Sequence, residues 1–230
     1  MTLSPAVVVC PAFTDAEYTG EASEVDPWLD RYAFDREVDV AGFPHPLYYA
    51  SDLGLAVAPT GIGKAAAATT VAALAAGDAV DLTDATILSV GIAGCQPAAG
   101  TLGSVFVADR IVDWDVKLRI GNTTDRMQWL ADDYVWQLDK DLVDRAATAA
   151  HGTSLADSDR AAEIRERYDD GRSPTIDVGP TVCGDEVYHG AATARQVDAL
   201  CESYGVDGFA TTEMEDAGTA TALERFGLLD

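Results

Sequence analysis

Thr211–Phe226 reads TTEMEDAGTATALERF, with Glu213, Glu215 and Asp216 at the mouth of an alanine- and threonine-rich helix. Acids suit a first helical turn, where the macrodipole is positive and backbone N–H groups lack partners, so an acidic N-cap region is one reading. Two further segments point to a second reading. Pro59–Lys64 (PTGIGK) follows an apolar strand and opens an alanine-rich helix, and Ser89–Gly94 (SVGIAG) follows Ala85–Leu88 at the end of another strand. Three tight strand ends bearing glycine or carboxylate make a place where a small polar ligand meets bare backbone N–H groups and fixed acceptors.

Gly61, Gly63 and Lys64 invite comparison with a phosphate-binding P-loop, but the GxxxxGK[ST] spacing is absent. The two glycines then serve a tight strand-to-helix turn, and Lys64 is a solvated cation at the helix start. His189 has a side chain suited to proton transfer but no visible partner, and His45 and His151 sit in loop-like surroundings. Cys10, Cys95, Cys183 and Cys201 show no CxxC spacing. They read as free thiols in a reducing compartment, with neither a metal site nor a disulfide framework expected.

The elements that must position these residues follow from local pattern. Ala6–Cys10 is a β-branched run stopped by Pro11 and reads as a buried first strand. Leu47–Ala50 and Leu55–Pro59 flank a hairpin turn at Ser51–Gly54, and the helix from Lys64 to Ala76 stops at Gly77. Ala85–Val90, Gly103–Val112 and Thr175–Cys183 read as strands. Asp132–Ala149, Arg160–Tyr168 and Ala191–Tyr204 read as helices, and Gly208–Thr211 is a strand feeding the acidic helix. Ser154–Ser173 is polar on all sides and reads as a surface excursion. Strands alternating with helices of this length imply an α/β fold with a largely buried sheet.

At 230 residues, with no long Pro/Ser-rich or charged linker, the expectation is one domain over residues 1–230. Its net charge of −24, from 39 acids against 15 lysines and arginines, repels nucleic acid and excludes it as a partner. Proteins of salt-loving organisms carry such surfaces, because molar salt screens acid–acid repulsion to about 3 Å. The N-terminus, MTLSPAVVVC, has no basic region ahead of its strand-sized apolar run, so no signal peptide is expected and a cytoplasmic location is. Ala65–Ala76 is too short and too weakly apolar to span a bilayer.

Four segments together carry a family resemblance: GIGKAAAATT (Gly61–Thr70), GIAGCQPAAGTLGSV (Gly91–Val105), CGDEVYHG (Cys183–Gly190) and MEDAGTATAL (Met214–Leu223). In this order and spacing the chain resembles the nucleoside phosphorylase superfamily, and within it the purine nucleoside permease family. The resemblance runs from Pro5 to about Phe226. It implies a nucleoside phosphorylase-like three-layer α/β fold with a mixed, largely buried central sheet.

It also implies roles. Glu215 takes the vicinal ribose hydroxyls in a bidentate contact and Met214 packs on the sugar face. Gly61 and Gly63, with Gly91, Ile92 and Ala93, form the anion or sugar loops. Gly184 and Asp185 fix a structural turn, and Val187 and Tyr188 pack on the base. Ile92 stands where many phosphorylases of the superfamily have a phosphate-binding serine, and Ser89 where they have an arginine. On the segment after the first strand, Asp15 and Glu17 stand where related nucleosidases place a glutamate that orients water; the alternative is a helix start with acids in its first turn. A carboxylate there accepts a proton from water and repels phosphate, which favours hydrolysis over phosphorolysis. A further strand, bearing the residue that assists the leaving base, is implied after this helix. The chain stops at Asp230, where that strand is expected to begin.

The expected function is purine nucleoside binding with N-glycosidic bond cleavage by water, phosphate being the alternative nucleophile. A non-catalytic nucleoside-binding component of transport is the second expectation. No cofactor and no metal are expected, and the partners are a purine nucleoside and further copies of the chain.

Overall fold

The computed structural model describes residues 2–14, 23–121, 123–130, 134–155, 159–167 and 171–229. In chain order the elements are β1 (Val7–Cys10), α1 (Asp26–Arg31), β2 (Arg36–Val38), β3 (Leu47–Ala50), β4 (Leu55–Val57), α2 (Lys64–Ala76), β5 (Thr86–Ser89), β6 (Gly94–Cys95), β7 (Val105–Asp113), β8 (Leu118–Ile120), β9 (Thr123–Asp125), β10 (Val135–Gln137), α3 (Lys140–His151), α4 (Asp159–Arg167), β11 (Ile176–Cys183), α5 (Ala191–Ser203), β12 (Thr211–Glu213) and α6 (Asp216–Arg225). They fall into two compact units, Met1–Ile92 with Met214–Asp230, and Ala93–Glu213.

In the first unit the VVVC run of β1 is buried because strands flank it on both sides: it pairs in parallel with β4 and with β5 in a sheet of order β2-β3-β4-β1-β5. A strand covered on both edges and both faces must be apolar throughout, as Val8 and Val9 are. β3 and β4 form the expected hairpin, with Gly54 at φ 62° in its turn and Ala50 opposite Leu55. α2 runs over the expected residues and ends at Gly77. Its alanines allow a close approach by α6. A Cβ on Gly218 would stand 2.2 Å from the Lys64 carbonyl oxygen, so only glycine lets the start of α6 pass the start of α2. Val71, Ala222 and Leu223 bury together beneath this crossing, each large side chain contributing about 1.5–3 kcal/mol.

The second unit holds a mixed sheet of order β10-β7-β11-β12-β6, parallel through β7-β11-β12 and closed by antiparallel strands at both edges. The β7–β11 ladder shifts register between Gly179 and Thr181, where Pro180 has no N–H to donate. Val112, Trp114, Val182, Val197, Leu200 and Val206 form its core.

The expected helix over 132–149 divides here. Val135–Gln137 pairs antiparallel with β7 and buries Trp136, and the helix begins only after Asp139, whose carboxylate accepts from the Leu142 N–H at 2.7 Å. Burial of a tryptophan in a sheet outweighs the helical preference of its acidic neighbours. Within the polar excursion, α4 buries Arg165, which donates to the Leu102 carbonyl at 2.8 Å. The molecule is thus a mixed α/β protein with mixed sheets.

Candidate active site

Two strand ends of the first unit, those of β1 and β5, converge on one carboxylate. β1 stops at Pro11, and the next residues turn so that the Ala12 N–H donates to Glu24 Oε2 at 2.7 Å. β5 ends at Ser89, and beyond it the Ile92 N–H donates to Glu24 Oε1, also at 2.7 Å. The Glu24 backbone is tied to the same turn, its N–H donating to the Phe13 carbonyl at 3.2 Å. Gly91 is what lets the carboxylate in, because a Cβ there would lie 2.5 Å from Glu24 Oε1.

At the mouth of α6, Glu215 occupies the N-cap position without capping its own helix. Its side chain instead reaches the start of α2, where Oε1 accepts from the Gly63 N–H at 2.7 Å, and Oε2 accepts from the Met214 N–H at 3.2 Å. Gly63 sits at φ 93° and supplies no side-chain cap to α2, so Glu215 meets one of that helix's leading N–H groups. Asp216, in the first turn of α6, hydrogen-bonds with Ser89.

The electrostatics are those of like charges held together. Burial pushes the Glu24 carboxyl above its ordinary value, against the pull of the Ile92, Ala12 and Phe13 backbone hydrogen bonds. Burial also raises Glu215, and repulsion from Glu24 and Asp216 adds to it, while Gly63 and Met214 work the other way. Asp216 is raised by burial, with Ser89 opposing, and the buried Cys10 thiol is pushed up to about 12 by burial and by Asp216. Such crowding costs stability, and titratable groups shifted together in one place make this cluster a candidate functional site. Three raised carboxyls can accept or release protons and can face a developing positive charge.

Of the residues singled out in the sequence, Gly61, Gly63, Gly91, Ile92, Met214 and Glu215 all belong to this unit. Gly61 and Gly63 both take positive φ, at 85° and 93°. An open groove of about 660 Å³ runs along the Thr60–Ile62 turn, walled by Phe43 and Pro44 and floored by Thr69 and Thr70 of α2. The Ile92 side chain is exposed and its backbone does the bonding. Asp15 and Glu17 lie outside the described residues.

In the second unit Ala93 is exposed at the approach to β6. The Asp185 N–H donates to Asp115 Oδ2 at 2.8 Å, and Gly184 is required, since a Cβ there would lie 2.1 Å from Trp114 Nε1. Val187 is 88% exposed, whereas the Tyr188 ring packs edge-on against Trp114 at 5.5 Å. Burial drives the Tyr188 phenol up to about 12, the Thr212 hydroxyl opposing.

Sequence reasoning missed Glu24. The segment after β1 carries acids at Asp15, Glu17, Glu21 and Glu24, and only the path of the folded chain singles one out. Glycine at 91 was the available signal. A bare Cα beside a strand end means that something approaches closely.

Among the described residues no helix is long and apolar enough to cross a membrane, and none of their His, Cys, Asp and Glu side chains form a metal-binding group. The chain is 30% identical over 199 residues to a probable purine nucleoside permease of Schizosaccharomyces pombe, an alignment covering 72% of this chain and 57% of that protein. Among solved structures it superposes on a futalosine hydrolase mutant of Helicobacter pylori with a TM-score of 0.63 at 18% identity, covering 98% of this chain and 86% of that one. It superposes on the 5′-methylthioadenosine/S-adenosylhomocysteine nucleosidase of Neisseria meningitidis, solved with methylthio-immucillin-A, with a TM-score of 0.61 at 18% identity, covering 97% and 82%. Those likenesses establish the fold. The purine nucleoside permease family model matches residues 4–229, and the chain belongs to that family.

Proposed function

We propose that this chain binds a purine nucleoside and cleaves its N-glycosidic bond, with water as the favoured nucleophile. The observation that carries the reading is Glu215, half-buried at the mouth of α6, oriented by the Gly63 N–H and crowded by Glu24 and Asp216. An ionised carboxylate presents two acceptor oxygens, and two vicinal hydroxyls are donors of matching spacing, which is the chemistry that suits Glu215 to a ribose. The C1′–N bond breaks with its electron pair going to the base. Water oxygen bonds to C1′, and of its two protons one stays on the new hydroxyl while the other balances the charge of the leaving base. The sugar passes through an oxocarbenium-like state, and the ionised carboxylates of this unit oppose its charge.

The support from relatives is that both solved neighbours are named as hydrolases or nucleosidases, one holding a nucleoside analogue. The second reading, a nucleoside-binding component of transport, has the family name and the Schizosaccharomyces pombe relative in its favour. The net charge of −24 and the family fold fit a cytoplasmic, salt-adapted homo-oligomer, which completes the proposal.

Calorimetric titration with adenosine, inosine and guanosine, beside an assay for released base, separates the two readings: binding without release favours transport. Glu215→Gln is expected to weaken nucleoside binding by about 1.5–3 kcal/mol, the worth of a hydrogen bond to a charged group, and to leave free-base binding near the wild-type level. Equal losses for nucleoside and base would remove Glu215 from the ribose.

A further inference from the structure

The ends of β1 and β5 turn their backbone N–H groups onto one side chain. Ala12 and Ile92 each donate to Glu24 at 2.7 Å, one to each carboxylate oxygen, and the Phe13 backbone adds another hydrogen bond. Backbone N–H groups converging from two strand ends form a concave anion seat, and hydrogen bonds to an ionised acceptor are the strong kind. The seat is shaped around its occupant. A Cβ on Gly91 would stand 2.5 Å from Glu24 Oε1 and 2.8 Å from Oε2, closer than real Cβ atoms come.

We propose that Glu24 is a built-in anion that fills this seat and shuts inorganic phosphate out of it, so that the chain is committed to water as nucleophile. With both oxygens turned to the backbone, Glu24 is a specificity-determining and positioning residue. It holds the Gly91–Ile92 turn against the Ala12–Phe13 turn, and the N–H groups that would bind a dianion are already bonded. A phosphate approaching them would also meet a half-buried negative charge, where repulsion is much stronger than in water. The consequence for the nucleophile rests on the nucleoside-cleavage reading, whereas the filling of the seat does not.

The test is titration of the full chain with inorganic phosphate, without nucleoside, read by calorimetry and by melting temperature. Wild type is expected to show neither heat nor a melting shift at millimolar phosphate. Glu24→Ala is expected to bind phosphate at least about tenfold more tightly than wild type, because a like charge is gone and N–H groups are released. Should that variant fail to fold, Glu24→Gln retains the shape, removes the charge, and is expected to move the same way by less. Wild type that binds phosphate as tightly as the variants, or variants as indifferent to phosphate as wild type, would overturn the proposal.

Base release with and without phosphate then distinguishes this proposal from the reading beneath it. If the variants bind phosphate but no form of the protein releases base, the seat stands and the cleavage reading falls. If wild type releases base only with phosphate, giving ribose 1-phosphate, cleavage stands and the proposal falls.

Discussion

In the first unit Glu24, Glu215 and Asp216 crowd like charge among strand ends, and burial pushes all three carboxyls upward. In the second unit the comparable turn is neutralised. Asp115 meets Lys117 at 3.5 Å and accepts the Asp185 N–H, while the Lys117 ammonium lies 3.4 Å from the centre of the Trp114 ring. Burial raises all three of these carboxyls, and at Glu215 repulsion from Glu24 and Asp216 adds to it, so ionising them costs the fold energy. A paired, stacked charge is what a turn needs in order to hold its shape. The two glycine-rich turns look alike in sequence but use glycine for different ends: Gly91 admits a carboxylate and Gly184 admits an indole.

The largest expected effect tests whether the close crossing of α2 and α6 holds the carboxylates in place. Replacing glycine by alanine inside a helix ordinarily stabilises by up to about 1 kcal/mol. At Gly218 the new methyl would meet the Lys64 carbonyl at 2.2 Å, a backbone atom that cannot swing away. Gly218→Ala is therefore expected to cost about 3 kcal/mol, the upper range for overpacking. Chemical denaturation measures it, and a gain in stability would mean that the crossing is looser than described.

A smaller effect comes from pH and sharpens the electrostatic contrast. Glu24 and Glu215 have ordinary values of 4.5 and Asp216 of 3.8, and all three are raised in the folded state. The fold therefore holds protons that the unfolded chain has released. Their contribution to stability is complete below the ordinary values and is lost as pH rises through the raised ones. The melting temperature is expected to fall over that interval at constant ionic strength, and Glu215→Gln to flatten the fall. Lys117 is shifted the opposite way, lowered chiefly by burial with Asp115 opposing, so its contribution is present above 10.5 and lost as pH falls through the lowered value. A Glu215→Gln protein with the wild-type slope would show that the crowding is not felt.

How far the sequence reveals this contrast depends on range. α2 is legible to the residue because an alanine run ending in glycine is a local signal, and the β3–β4 hairpin is legible for the same reason. β10 is not, since the burial of Trp136 against β7 depends on a partner more than twenty residues away, as its pairing with Ile111 shows. Glu215 stands out because the acids and the glycine turns are written in compact motifs. Glu24 does not, because its donors come from the Ala12–Phe13 turn and from Ile92, the last of them 68 residues along the chain. Gly218 reads as one small residue among several until the Lys64 carbonyl is beside it.

The smallest expected effect lies in the second unit. Lys117→Met retains the length and apolar stem of the side chain and removes the charge. Three contributions then change together. The stacking on Trp114 is lost, worth about 0.5–1 kcal/mol where partly exposed, and so is the pairing with Asp115, worth about 0–1 kcal/mol. Against both stands the relief of desolvation, which is the first cause of the lowered Lys117 value. With side chains 15% and 29% exposed, the pair is neither fully screened nor fully buried, so the opposing changes are of similar size and the net loss is expected to stay within about 1 kcal/mol. Denaturant titration of Lys117→Met beside wild type measures it. A loss of about 3 kcal/mol or more, the cost of leaving a buried partner charge unanswered, would show that Asp115 relies on this one cation. The turn at Asp185 would then be as costly to hold as the carboxylate crowd of the first unit, and the contrast between the two would fail.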